Sequence, residues 1–363
     1  MKPTCIAGTN TYVYNFQTCG FHHTIKINYY MMKKAIVLVN TGTPDSPSVS
    51  DVRRFLREFL SDPMVIYLPW LIRMILVNLI IVPFRASRSA EKYRLLWNEQ
   101  GSPLRTAMET VVMRLGERLG DGFQVMGAMR YGNPSLDMVM EEAKKGQFSS
   151  VLIIPLFPQY ASSTTGSVKR YVEKITKEGE GLPEIRLIEQ FYSNPAFSDA
   201  FADRISSYDP SGYDHILFSY HSLPLSHIKK VHPRHEEQSC ICTSSMPAHG
   251  TYCYKACCYE TTRILAARLK LPEGSYSTAF QSGMSGKWLG PFTAGLLEKL
   301  AVSGKKKVLI TAPSFVADCL ETIVEIEDEY KNLFKEKGGK ELVMVSSLNE
   351  DEEWLYNLII NLF

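Results

Sequence analysis

Short apolar runs alternate along the chain with longer stretches of helical periodicity. The first run, Ala35-Ile36-Val37-Leu38-Val39-Asn40, is continuously apolar and stops at Thr41-Gly42-Thr43-Pro44, the pattern of a strand buried on both faces that feeds a loop. Ser50-Asp51 then opens a helix in which Val52, Phe55, Leu56, Phe59 and Leu60 recur at helical spacing, with Arg53, Arg54 and Arg57 between them, until Asp62-Pro63 ends it. The rhythm returns with Gln124 to Ala128 before Met129-Arg130-Tyr131-Gly132-Asn133-Pro134, and with Val151 to Leu156 before Phe157-Pro158-Gln159-Tyr160. A later set comprises His215 to Tyr220, Tyr276 to Phe280, and Lys307 to Thr311 before Ala312-Pro313-Ser314-Phe315. Strands that alternate with helices imply parallel, doubly wound sheets, so the fold class is α/β. A turn-rich break, Tyr208-Asp209-Pro210-Ser211-Gly212, separates two domains of similar plan, residues 33–207 and 208–344.

Two stretches depart from this rhythm. Tyr67 to Phe84 is the most hydrophobic segment, yet it contains Arg73, Asn78 and two prolines, and its apolar part falls short of the roughly 20 residues that a bilayer span requires. It reads as a helix lying in a membrane interface or lining an apolar pocket, with Arg73, Arg85 and Arg88 able to meet lipid phosphates or ligand carboxylates; a plain core helix has the same composition. Ala161-Ser162-Ser163-Thr164-Thr165-Gly166-Ser167 opens a helix through Val168, Tyr171, Val172 and Ile175, and its hydroxyls suit capping or an anion.

Composition narrows the function classes. A chain of 363 residues, 45% hydrophobic and 21% charged, is an ordinary globular protein large enough for two cores. A net charge of +2 leaves no general footprint for nucleic acid, so no nucleic-acid partner is expected. Residues 1–32 lack the apolar core of a signal peptide, and Met31-Met32-Lys33-Lys34 before a strand is a natural beginning; an unstructured or mis-started leader is expected there. Without a secretory signal, a reducing cytoplasm and free or metal-bound thiols are expected.

Two positions stand out for chemistry. His221 ends the apolar run Leu217-Phe218-Ser219-Tyr220 and precedes Pro224, so it lies where open α/β sheets carry their reactive groups, or else merely caps a core strand. Glu321, Glu325 and Glu329 recur at i, i+4 and i+8, which lines three carboxylates along one helical face. A solvated face tolerates that spacing; beside a pocket it becomes a path for cations or protons, with Glu321 innermost as a candidate base.

Taken with Asn40-Thr41-Gly42-Thr43-Pro44-Asp45, Phe59-Leu60-Ser61-Asp62-Pro63, Gln100-Gly101-Ser102-Pro103-Leu104, Pro158-Gln159-Tyr160, His221-Ser222-Leu223-Pro224, Trp288-Leu289-Gly290-Pro291 and Asp318-Cys319-Leu320-Glu321-Thr322, the chain from about residue 35 onward resembles the ferrochelatases. The resemblance implies insertion of Fe²⁺ into a porphyrin, protoporphyrin IX or coproporphyrin III, in haem synthesis. A non-catalytic tetrapyrrole or metal carrier of the same fold is the alternative. It also implies two Rossmann-like domains with a cleft between them, and a C-terminal helix, within 345–363, that returns to the first domain. His221 matches the family's active-site histidine and Glu321 its essential glutamate, both at the substrate iron, with Glu325 and Glu329 as the acidic path. Thr41, Arg130, Tyr131 and Trp288 match porphyrin-site positions, and residues 64–86 match a lip that covers the porphyrin and touches the membrane. A peripheral position at the inner face of the membrane follows from that match.

A cysteine-rich insert, residues 238–258, follows the His221 turn. Cys240, Cys242, Cys253, Cys257 and Cys258 fall within nineteen residues, which favours a metal site over free thiols, because thiolates select zinc or iron–sulfur clusters. The insert resembles the internal motif of ferrochelatases that hold a [2Fe–2S] cluster; Cys240, Cys242, Cys253 and Cys258 are the expected ligands, with Cys257 as substitute and structural zinc as the alternative metal. His235 and His249 are expected at the surface.

Overall fold

A computed structural model of the protein describes residues 33–362 apart from 147, 179–180 and 232–239, together with the backbone of 4–5, 11–18 and 21–28. His235 lies outside the described residues. Before residue 33 the described backbone forms short antiparallel strands, Thr4–Cys5, Thr11–Thr18 and Phe21–Asn28, which join neither of the main sheets.

Eight strands build two parallel four-stranded sheets. They are β1 Lys34–Asn40, β2 Phe123–Met129, β3 Ser150–Pro155 and β4 Glu184–Leu187 in the first, and β5 His215–His221, β6 Tyr276–Gln281, β7 Lys307–Thr311 and β8 Glu341–Met344 in the second. Their orders are β2-β1-β3-β4 and β6-β5-β7-β8, so the halves have the same topology and β1 and β5 occupy equivalent inner positions.

The apolar strands divide their faces between cores. In β1, Ala35, Val37 and Val39 pack into a cluster on the outer face of the first sheet, while Ile36 and Leu38 belong to a larger cluster that also takes Ile216, Phe218 and Tyr220 of β5. In β5, Leu217 turns the other way, into the outer core of the second sheet. One continuous core therefore joins the inner faces. The helix Glu353–Ile360 closes it: Trp354 meets the rings of Phe191 and Phe197 at 5.2 and 5.8 Å, and Arg118 of the helix Pro103–Leu119 pairs with Glu353. Each fully buried Leu, Ile or Phe contributes roughly 1.5–3 kcal/mol.

The helix Val49–Ser61 starts slightly earlier than the sequence suggests, because Ser48 is the cap: its hydroxyl accepts the Asp51 amide at 3.2 Å. Most of the expected lip, residues 64–86, lies in one helix, Trp70–Leu96, which by length and composition is long and apolar enough to cross a membrane, where the sequence had suggested too short an apolar stretch. Continuity comes from a wide π turn, Leu76–Ile81, in which the Val82 amide reaches back to Val77. That turn directly precedes Pro83, which has no amide to donate and whose ring crowds the preceding turn of a regular α-helix. Val77, Val82, Ala86, Ala90 and Tyr93 face inward, whereas Trp70, Leu71, Leu79 and Phe84 are exposed.

Candidate active site

The chemistry-bearing residues gather at the C-terminal edges of both sheets, where parallel strands leave open ends. His221 ends β5 opposite Gln281 of β6. Its ring stands edge-on to Phe315 with centroids 6.2 Å apart, and Nδ1 is buried with no hydrogen-bond partner among the described residues. Gln281 connects this edge to the carboxylate helix. Its Nε2 donates to the carbonyl of Glu321 at 2.7 Å, and its Oε1 accepts the Ser219 hydroxyl, also at 2.7 Å.

The segment Leu320–Tyr330 is a π-helix, wider than the α-helix that the i, i+4, i+8 pattern suggested. Its three carboxylates have different surroundings. Glu321 is half-buried beside the Cys319 thiol, which burial and the Glu321 charge push well up from its ordinary value. Glu325 accepts the amide and hydroxyl of Ser282, the Tyr330 hydroxyl and a longer contact from Gln281. Glu329 is paired with Lys92 of the lip helix at 2.5 Å. Val324 packs among the lip's inward residues, so this helix and the lip form one wall.

On the first sheet, Asp62 is the organising group, unremarked in the sequence because it looked like a helix terminator. Its buried carboxylate accepts from Arg130 Nη2 at 3.0 Å, from the Tyr131 hydroxyl at 2.9 Å and from Ser167 at 2.5 Å. Tyr131, which the resemblance places at the porphyrin, is buried with its ring edge-on to Phe59. Thr41 abuts this loop, its carbonyl accepting the Tyr131 amide. Gly42, at φ +116°, permits the approach: a β carbon there would stand 1.7 Å from the Tyr131 carbonyl oxygen. Trp288 is half-buried and bridges to Pro224, beside the His221 turn.

Across this fold, a family model described as ferrochelatase matches residues 33–361. The chain belongs to the ferrochelatase family. It is 39% identical over 327 residues to a ferrochelatase of Pseudomonas fluorescens biotype C, covering 89% of this chain and 96% of that one. It is equally identical, over 333 residues, to a ferrochelatase of Coxiella burnetii strain CbuK_Q154, covering 89% and 91%. Among solved structures, SirB from Bacillus subtilis with Fe³⁺ superposes with a TM-score of 0.50 at 10% identity over 91% of this chain and 94% of its own, a likeness of fold. Residues 1–32 lie outside the matched range.

Within this ferrochelatase the arginines of the lip separate. Arg73 is buried, and its guanidinium donates to the Ser61 and Leu68 carbonyls, so it staples the lip's base. Arg85 and Arg88 are exposed.

The cysteines fall into two groups. Cys242 hydrogen-bonds Cys240, and Cys253 lies close to both. Cys253 caps the helix Tyr254–Arg268, and Cys257 stands one turn on, its amide donating to the Cys253 carbonyl and its thiol to the Thr251 carbonyl at 3.3 Å. Cys258 turns away toward Tyr254 and Tyr220 behind β5. Burial pushes the Cys242 and Cys257 thiols up to about 12. Among the described residues, no three His, Cys, Asp or Glu side chains are preassembled around a metal position.

Proposed function

We propose that the family's reaction, insertion of ferrous iron into a porphyrin for haem synthesis, proceeds in the cleft between the two sheet edges with His221 as proton acceptor and Glu321 as the carboxylate that hands over metal or removes protons. The observation that carries this reading is the buried, unpartnered Nδ1 of His221, held next to the Glu321 backbone by Gln281. A free-base macrocycle must lose two pyrrole protons as the metal enters, and a neutral imidazole has one basic nitrogen with which to accept a proton at each step. Glu325, with its lone pairs occupied, serves the wall rather than the traffic, which leaves Glu321 as the working carboxylate and Glu329 as its outer, lysine-paired neighbour. Thr41, Arg130 and Trp288 border the porphyrin, and protoporphyrin IX and coproporphyrin III both remain candidate substrates. His221→Ala is expected to lower Fe²⁺ insertion by at least about 100-fold while porphyrin binding, followed by fluorescence quenching, stays near the wild-type value. Undiminished turnover would remove His221 from the mechanism, and an inactive wild-type protein that still binds porphyrin would favour the carrier reading.

The thiols suit a [2Fe–2S] cluster held by Cys240, Cys242 and Cys253, with Cys257 in place of Cys258 as the fourth ligand. Cys257 shares the Cys253 end of its helix, whereas Cys258 is directed into the core behind β5. Such a group would cross-link the insert and add a redox-active centre. Anaerobically purified protein is expected to show visible charge-transfer bands that persist in Cys258→Ala and vanish in Cys257→Ala. Stoichiometric zinc without those bands would sink the cluster in favour of a structural zinc.

The exposed apolar face of the lip, flanked by Arg85 and Arg88, fits peripheral contact with an anionic membrane surface, consistent with a cytoplasmic enzyme at its inner face.

A further inference from the structure

We infer that Tyr254 is a positioning residue for His221, replacing the missing sheet partner of that residue's peptide and tying it to the cysteine-bearing helix. The inference rests on the proposed role of His221. Its starting point is where β5 loses its neighbour. β5 pairs with β7 only as far as Phe218 opposite Thr311, after which β7 runs into Ala312-Pro313, and a proline has no amide to offer. On its other side the strand continues: the Ser222 amide donates to the Gln281 carbonyl. In a parallel ladder alternate residues turn their amide and carbonyl to opposite neighbours, so His221 addresses the side that β7 has left. Backbone groups buried there require partners.

Two hydroxyls supply them. The His221 amide donates to Ser314 Oγ at 3.3 Å, and the His221 carbonyl accepts from Tyr254 Oη at 2.8 Å. Ser314 and Tyr254 are also hydrogen-bonded to each other, which closes a circuit of amide, serine, tyrosine and carbonyl around the peptide of the reactive histidine. Tyr254 is almost fully buried and begins the helix that Cys253 caps; one turn later the Cys258 thiol also bonds its hydroxyl. A displacement of that first helical turn therefore moves the hydroxyl that fixes the His221 carbonyl. This gives Cys258 a task outside any ligand set, and it gives the cysteine insert a route to the site that passes through one side chain.

Tyr254→Phe in the full chain tests the inference, because it removes the hydroxyl and keeps the ring. With Fe²⁺ and protoporphyrin, kcat is expected to fall about tenfold with KM for porphyrin unchanged, since small misplacements of reacting groups cost one to two orders of magnitude. The thermal midpoint is expected to fall by only a few degrees, the cost of one lost buried hydrogen bond, and the visible spectrum of the insert to keep its wild-type form, while the His221 imidazole ¹⁵N resonances shift. Ser314→Ala should reproduce the kcat effect. A wild-type kcat with unshifted resonances overturns the inference, and so does a parallel loss of kcat, porphyrin KM and thermal midpoint, which would mark a merely structural tyrosine. His221→Ala run alongside separates the two levels: full turnover in that variant overturns the histidine's role itself, whereas an inactive His221→Ala beside an unaffected Tyr254→Phe overturns only the positioning.

Discussion

Ser282 holds a left-handed backbone, φ +63°, a conformation that costs a residue with a β carbon about 1–2 kcal/mol. It is kept there by Glu325, which binds its amide and hydroxyl together with the Tyr330 hydroxyl. Hydrogen bonds to a charged acceptor contribute about 1.5–3 kcal/mol each when broken singly, so Glu325→Ala is expected to lower the unfolding free energy by about 2–3 kcal/mol in urea. A variant as stable as wild type but slow in metal insertion would return Glu325 to the acidic path. The spacing of the three glutamates was legible in the sequence, and so was the position of His221 at a strand end. What separates Glu325 from Glu321 was not, because Ser282 lies 43 residues away and only the fold brings it there. Asp62 was hidden for the same reason: its partners come from the loop of Arg130 and Tyr131 and from Ser167, the first residue of a helix.

Among the elements, six of the eight sheet strands followed the apolar runs, since a buried strand needs little but bulk, whereas the short edge strands β4 and β8 left no such run and were missed. The wide turns were beyond the pattern. Periodicity separates a period of two from one near 3.6, but a single π turn inserts one residue and then lets the α period resume, as the five-residue step from Val77 to Val82 shows. In the lip that step keeps the inward stripe continuous past Pro83 and leaves Leu79 and Phe84 outside. Leu79→Asp combined with Phe84→Asp is therefore expected to abolish sedimentation with vesicles containing anionic lipid while leaving the circular dichroism spectrum unchanged. Equal sedimentation of both proteins would argue that this face meets no bilayer.

At the scale of the whole molecule, the two parallel sheets were legible in the strand rhythm, but the shared inner core was not. Residues such as Ile36 and Phe218 carry no mark of which sheet they face. That core and its margins bury two histidines, His215 and His227, whose pKa values burial first, and then Lys305 and Lys230 respectively, lower to about 4. The native state keeps both neutral, while the unfolded chain takes up their protons below its ordinary value of about 6.5. Their contribution to stability is complete above that value and is lost as pH falls from about 6.5 toward 4, by up to about 1.4 kcal/mol per pH unit for each histidine. His227→Gln should accordingly lose less stability than wild type between about pH 7 and about pH 5 in urea titrations; equal losses would mean that His227 is not held neutral.

The matching strand orders place Asn40, the last residue of β1, where β5 has His221. Asn40 has spent its side chain on the next amide, that of Thr41, at 2.8 Å. The scaffold thus offers two equivalent mouths and arms one of them. With His221 in its proposed role, a flat macrocycle lying between the mouths would be addressed from a single face, and both pyrrole protons would leave toward the second half of the molecule.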